Sequence, residues 1–184
     1  AQNYLMQALQ VSEQSRGRSL LAILKRRDRY VASNKNSVDT NKVQDLDQAQ
    51  RIVELQKQLL DDNTVLLEYA LGEERSYLWV VSRTGIKSYE LPKRTDIEAS
   101  ARRFNDFLTV PSLRIRSAKS AKAAQELSQM ILGDAANQLK DKRLIIVADG
   151  ILQYIPFNAL PSPNSKDQGA NEPLITQHEV VMLP

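Results

Sequence analysis

Apolar and polar residues alternate along the chain with two different periods, and these periods predict helices and strands. Residues 4–25 and 45–60 place apolar side chains at helical spacing among charged and amide residues, so each segment is expected to form an amphipathic helix. Three short runs of apolar and β-branched residues follow, separated by turn residues that include glycine. We expect antiparallel strands joined by short turns, over residues 65–71, 76–82 and 86–91.

The second half of the chain returns to the helical period and then changes to an unbroken apolar run. A helix is predicted from Thr95 or Asp96 through Leu108, and a longer one from Ser117 or Ser120 that Gly133-Asp134 interrupts before it continues over 135–139. Residues 144–148 then form a short apolar run that is typical of a parallel strand buried on both faces. A helical turn or coil is expected over 151–160, a polar loop over 162–172, and one or two strands over 174–183.

Asp149 and Gly150 directly follow the predicted buried strand. In open α/β sheets, ligands bind beyond the carboxyl ends of such strands, where a carboxylate can face a ligand. Asp149 and Gly150 are therefore the candidate substrate-binding residues. An Asp-Gly pair is also a common turn that ends a strand. The two interpretations do not exclude each other.

Composition and charge exclude several classes of function. The 184 residues are 42% hydrophobic and 26% charged with a net charge of +3, which is ordinary for a globular protein and too weakly basic to argue for nucleic acid. The basic run 25–29 is interpreted as a solvated helix end rather than a phosphate site, and no nucleic-acid partner is expected even with Arg114 and Arg116 included. Cysteine is absent, which excludes a disulfide framework, a thiolate metal site and a cysteine nucleophile within these residues.

No apolar run approaches the ~20 residues of a membrane helix, and the first residues lack the pattern of a signal peptide. We expect a cytoplasmic protein without a membrane span. Helical periodicity is already under way at Leu5, and an apolar run closes the sequence at residues 179–183. Both ends therefore suggest that further sequence precedes and follows.

Candidate catalytic residues are scarce. No glycine-lysine phosphate loop, dinucleotide-binding fingerprint or Gly-x-Ser-x-Gly elbow occurs. His178 is the single histidine and has no cysteine or second histidine with which to hold a metal, so no metal or cofactor is expected. Lying next to Glu179 in a predicted strand, His178 is interpreted as structural rather than as a general base. Trp79 is interpreted as a core residue rather than a stacking platform for a base or peptide.

From residue 65 onward the sequence contains a series of short motifs, which are Leu67-Glu-Tyr-Ala-Leu-Gly72, Ser76-Tyr-Leu-Trp-Val-Val81, Tyr89-Glu-Leu-Pro92, Arg143-Leu-Ile-Ile-Val-Ala-Asp-Gly150, Leu152-Gln-Tyr-Ile-Pro-Phe157, Ala159-Leu-Pro161, Pro173-Leu-Ile175 and His178-Glu-Val-Val181. In their order and spacing these motifs resemble the CHAT family of caspase-like peptidases, often found behind tetratricopeptide repeats. Residues 8–21 are similar to the helix that closes such a repeat array.

The resemblance implies an α/β, partial caspase-like fold over residues 63–184, preceded by an α-helical segment over 1–62. It also implies cysteine-peptidase activity by a His/Cys dyad that lies downstream of Pro184, because His178 matches a non-catalytic position of the family. By the same resemblance, Asp149 contributes to the pocket for the residue before the scissile bond. The implied partners are a protein or peptide substrate, the remaining C-terminal part of the CHAT domain and tetratricopeptide repeats. The alternative is a pseudo-enzyme or regulatory module that binds a protein partner.

Overall fold

Five strands and three helices account for most of the residues that the structure, a computed structural model, describes. Those residues are 60–109, 118–163 and 172–183, so the helices predicted before residue 60, the basic run 25–29 and the loop with Arg114 and Arg116 lie outside them. The strands are β1 (Thr64–Ala70), β2 (Ser76–Ser82), β3 (Gly85–Leu91), β4 (Arg143–Val147) and β5 (Val180–Leu183). The helices are α1 (Arg94–Thr109), α2 (Ala118–Leu132) and α3 (Ala136–Leu139).

The strands form one mixed sheet in the order β3-β2-β1-β4-β5. β1 pairs antiparallel with β2, as its short connection predicts, and pairs parallel with β4 on its other side. β4 also pairs parallel with β5, with Leu144 opposite Val180. This mixed sheet with flanking helices is an α/β architecture and is consistent with part of a caspase-like fold.

One face of the sheet packs against the helices because alternate side chains of each strand point the same way. Leu144 and Ile146 of β4 are fully buried on this face, and each such side chain stabilises the fold by about 1.5–3 kcal/mol. The helix side of the same core is supplied by one stripe from each helix: Ile97, Ala101 and Phe104 of α1, Leu127, Ile131 and Leu132 of α2, and Leu139 of α3. Trp79 is also buried, as expected of a core residue.

Two expectations about the second half of the chain are wrong in part. β4 is parallel as predicted, but Ile145 and Val147 are only half-buried, so the strand is enclosed more deeply on one face than on the other. Residues 174–183 do not continue as strand throughout, because Leu174–Thr176 form a 3-10 helix and β5 begins only at Val180. His178 therefore lies in the connection before β5 and not inside a strand.

The predicted interruption of the helix at Gly133-Asp134 is confirmed. α2 ends at Leu132, a 3-10 helix occupies Gly133–Ala135, and α3 follows directly. Since the tighter 3-10 turn redirects the chain, α3 delivers Leu139 into the core just before β4 begins.

Tyr69 provides a test of this core. Its side chain is fully buried, and its hydroxyl donates a hydrogen bond to the Ile131 carbonyl oxygen at 3.2 Å. We predict that Tyr69→Phe lowers the free energy of unfolding by about 1 kcal/mol at pH 7, because this bond is lost. Urea unfolding measures the change. Tyr154→Phe is the matched control, since Tyr154 is 77% exposed and should not alter stability.

A comparison of the wild type with Tyr69→Phe also tests the ionisation of Tyr69. Burial raises the pKa of Tyr69 well above its ordinary value of 10.0. Folding raises this pKa, so the un-ionised Tyr69 contributes fully to the free energy of unfolding below pH 10. That contribution is lost as the pH rises, because the tyrosine of the unfolded chain ionises first. The stability advantage of the wild type over Tyr69→Phe should therefore shrink above pH 10. An advantage that is constant to pH 11 would contradict the burial of an un-ionised Tyr69.

Candidate substrate-binding site

The carboxyl ends of β1 and β4 lie side by side because the two strands are parallel neighbours. Their register pairs Glu68 with Val147 near these ends. The chain then continues for a few residues beyond each strand, which brings Leu71 and Asp149 together across the edge of the sheet. This is the edge at which α/β folds place their ligands.

Asp149 connects the two strand ends. Its Oδ2 accepts a hydrogen bond from the backbone N–H of Leu71 at 2.8 Å. The Asp149 backbone is extended, and its carbonyl oxygen accepts from the N–H of Leu152 at 3.1 Å, which begins the turn that follows. Asp149 therefore has the strand-ending role that the Asp-Gly pair predicts, and its half-buried side chain also keeps part of its surface at the edge.

Arg94 binds Leu71 at its carbonyl oxygen. Its Nη2 donates to the Leu71 carbonyl oxygen at 2.7 Å, and its backbone N–H donates to the Gly72 carbonyl oxygen at 2.8 Å. The Leu71 N–H thus donates to a carboxylate, and the Leu71 carbonyl oxygen accepts from a guanidinium. Charge-assisted bonds of this kind are roughly twice as strong as neutral ones, so they fix the end of β1 firmly.

Glycine is required at two positions of this edge for different reasons. A Cβ at Gly72 would lie 2.3 Å from the backbone oxygen of Arg75, which is closer than real Cβ contacts allow. Gly150 has a φ of +54°, a left-handed conformation that most side chains disfavour. Gly150 is exposed and opens the 3-10 helix Gly150–Tyr154, so its backbone borders the surface beside Asp149.

Among the described residues, the hydrogen bonds at this edge bring no nucleophile together with a base. The Ser76 hydroxyl is fully buried and accepts the N–H of Gly72 at 3.3 Å. His178 lies at the opposite, amino edge of the sheet, where its Nδ1 is 2.9 Å from the carbonyl oxygen of Lys142. Within residues 60–109, 118–163 and 172–183, no three His, Asp or Glu side chains are grouped so that they could hold a metal ion.

The two residues predicted for the site, Asp149 and Gly150, are adjacent to each other at the expected edge. Leu71 and Arg94 were not predicted as part of it. Leu71 is 78 positions from Asp149 in the sequence, and Arg94 is 23 positions from Leu71. No local sequence pattern therefore connects these residues. The one signal for Arg94 in the sequence was its position between Pro92 and the helix predicted from Thr95 or Asp96.

We predict that Asp149→Ala lowers the free energy of unfolding by about 1–3 kcal/mol, because the Leu71 N–H loses its acceptor in a partly buried position. Asp149→Asn should cost less, since the amide oxygen can accept the same bond. Urea unfolding of both variants measures the difference. Glu73→Ala, at an exposed position near the same edge, is the control. Equal losses from the alanine and asparagine variants would contradict the role of this bond.

Comparison with known proteins adds one finding. Residues 121–184 match the model of the CHAT domain, a range that contains α3, β4, β5, Asp149 and Gly150. No curated protein matches the chain. None of the helices described between residues 60 and 183 is long and apolar enough to cross a membrane. Residues 121–184, the part of the chain that carries the candidate site, are therefore similar to the CHAT domain family.

Proposed function

We propose that this chain is the non-catalytic N-terminal part of a CHAT-family cysteine peptidase, whose His/Cys dyad is supplied by sequence outside it. In the complete enzyme, a cysteine thiolate would attack the scissile carbonyl and a histidine would move the proton to the leaving amine. The part described above would form the sheet on which that dyad is placed and one wall of the substrate pocket.

The observation that carries this proposal is the position of Asp149 and Gly150. They lie within the matched CHAT range and beyond the carboxyl end of β4, a parallel strand between two parallel neighbours. Ligand sites of open α/β sheets form at such an edge. The absence of cysteine from all 184 residues supports a dyad located elsewhere. So does the distance of His178 from this edge, since it bonds the backbone just before β4 begins.

Asp149 would give this pocket a preference for Arg or Lys before the scissile bond. Its carboxylate is fixed by the Leu71 N–H, so it is already oriented before a substrate arrives. A half-buried carboxylate is screened less by water than an exposed one and therefore attracts a cationic side chain more strongly. Gly150 would let the substrate approach the backbone, because no side chain stands beside Asp149 at that position.

β5 is the place where the rest of the domain would join. Among the described strands it pairs with β4 alone, and Met182 is 36% exposed. An apolar edge strand without a charged or proline residue in it is prone to pair with a further strand. We propose that the remaining C-terminal part of the CHAT domain pairs here. A cytoplasmic location and association with tetratricopeptide repeats complete the proposal.

The first test compares the isolated chain with the full parent protein. Reporter peptides with Arg or Lys before the cleavable bond should be hydrolysed by the parent and not by the isolated chain. Replacement of the parent's candidate cysteine by alanine should abolish cleavage. Cleavage by the isolated chain would contradict the proposed location of the dyad. A folded parent that binds a protein partner but cleaves no peptide would favour the regulatory module instead.

The second test measures the preference of the pocket for basic residues. In the full parent, Asp149→Asn should lower kcat/KM for Arg and Lys reporters by about tenfold or more, the effect of losing a partly buried ion pair worth ~1.5 kcal/mol. Reporters with a neutral residue at the same position should be much less affected. Because the asparagine can still accept the Leu71 N–H, a loss confined to basic reporters separates recognition from folding. Equal losses for both reporter types would assign Asp149 a structural role alone.

A further inference from the structure

Arg94 lies near Asp149 at the carboxyl edge of the sheet, and the hydrogen bonds of Leu71 limit the distance between the two charges. Asp149 Oδ2 accepts from the Leu71 N–H at 2.8 Å, and Arg94 Nη2 donates to the Leu71 carbonyl oxygen at 2.7 Å. The backbone nitrogen and oxygen of one residue are joined by short covalent bonds of about 1.2–1.5 Å each. The carboxylate oxygen and the guanidinium nitrogen are therefore at most about 10 Å apart.

The Arg94 guanidinium has N–H donors beyond the one that is bonded to Leu71. A guanidinium holds its donors in one plane, and a pair of them can bond both oxygens of a carboxylate at once. The Arg94 side chain forms no other hydrogen bond or ion pair within residues 60–109, 118–163 and 172–183. Because Arg94 is exposed, an incoming carboxylate can reach these donors.

The separation of the two charges matches the repeat of an extended peptide. Alternate side chains of an extended chain point to the same side, with Cα atoms about 6.6–6.8 Å apart, whereas adjacent side chains point to opposite sides. A basic and an acidic side chain two positions apart can therefore reach Asp149 and Arg94 together from one side of the peptide. Adjacent basic and acidic residues cannot do so without bending the peptide.

We propose that Arg94 is a specificity-determining residue, which binds an acidic side chain two positions away from the basic residue of the substrate. This inference rests on the proposed function, in which Asp149 binds that basic residue. It narrows the substrate class to extended segments in which Arg or Lys is separated from Asp or Glu by one residue. Arg94 contributes affinity for such a segment through a charge-assisted pair of hydrogen bonds.

Fluorescence anisotropy of labelled peptides tests the inference in the full parent protein, with its candidate cysteine replaced by alanine so that bound peptides stay intact. The peptides are the amides of acetyl-Ala-Glu-Ala-Arg-Ala-Ala and acetyl-Ala-Ala-Arg-Ala-Glu-Ala, since the spacing holds on either side of the arginine. Each is compared with a peptide that has glutamine in place of glutamate. At least one glutamate peptide should bind about three- to tenfold more tightly than its glutamine counterpart.

Arg94→Gln separates the charge of Arg94 from its hydrogen bond to Leu71. The glutamine amide can still donate to the Leu71 carbonyl oxygen, so the preference for glutamate should disappear while the glutamine peptides bind as they bind the wild type. That retained binding also shows that the variant is folded. Lys93→Gln, which removes the neighbouring exposed positive charge, is the matched control and should keep the preference.

Three results would overturn the inference: no preference for glutamate in the wild type, a preference that survives in Arg94→Gln, or an equal loss of preference in Lys93→Gln. Asp149→Asn distinguishes this failure from that of the proposed pocket. If Asp149→Asn weakens all four peptides and glutamate gives no advantage, the pocket stands and the role of Arg94 is wrong. If Asp149→Asn weakens none, both are wrong. Binding is measured without cleavage, so the result does not depend on where the dyad lies.

Discussion

The parallel pairing of β1 with β4 is the constraint on which the described structure depends. β1 is bonded to β2 on one side and to β4 on the other, so its backbone polar groups are satisfied only when both neighbours are in register. The register that pairs Glu68 with Val147 brings the Asp149 carboxylate to the Leu71 N–H. The same strand, paired with β5 from Leu144, brings His178 to the Lys142 carbonyl. A slip of one residue would turn Leu144 and Ile146 away from the helices and would separate both contacts.

Local patterns were sufficient to predict β1 to β4, the helices α1 and α2 and the location of Asp149 after a parallel strand. They were sufficient because each of these features depends on side chains that are close in sequence. The contacts of Leu71 were not predictable, since they depend on strand register and connect residues far apart in the chain. His178 was placed in a strand because Leu174 and Ile175 resemble the start of one. The chain turns there instead, and the Thr176 hydroxyl donates to the Pro173 carbonyl oxygen at 2.7 Å.

Asp149 and His178 lie at opposite ends of β4, Asp149 beyond the carboxyl end and His178 beside the amino end. At a rise of about 3.3 Å per residue, the backbone of Lys142 is about 23 Å from that of Asp149. No ligand of amino-acid size can contact both, so the carboxylate and the imidazole cannot act on one bond. The helices α1, α2 and α3 cover the strand between them and exclude water from its buried face.

The pairing of Thr64 with Arg143 has a consequence for synthesis of the protein on the ribosome. The two residues are about 80 positions apart, so Arg143 is polymerised about 4–16 s after Thr64 at ordinary rates of translation. The hairpin of β1 and β2 can form within microseconds of leaving the ribosome. For the remaining seconds, β1 presents an open edge with which β4 has not yet paired. Unpaired strand edges are prone to aggregate, so this interval is the one in which the nascent chain is most exposed to aggregation.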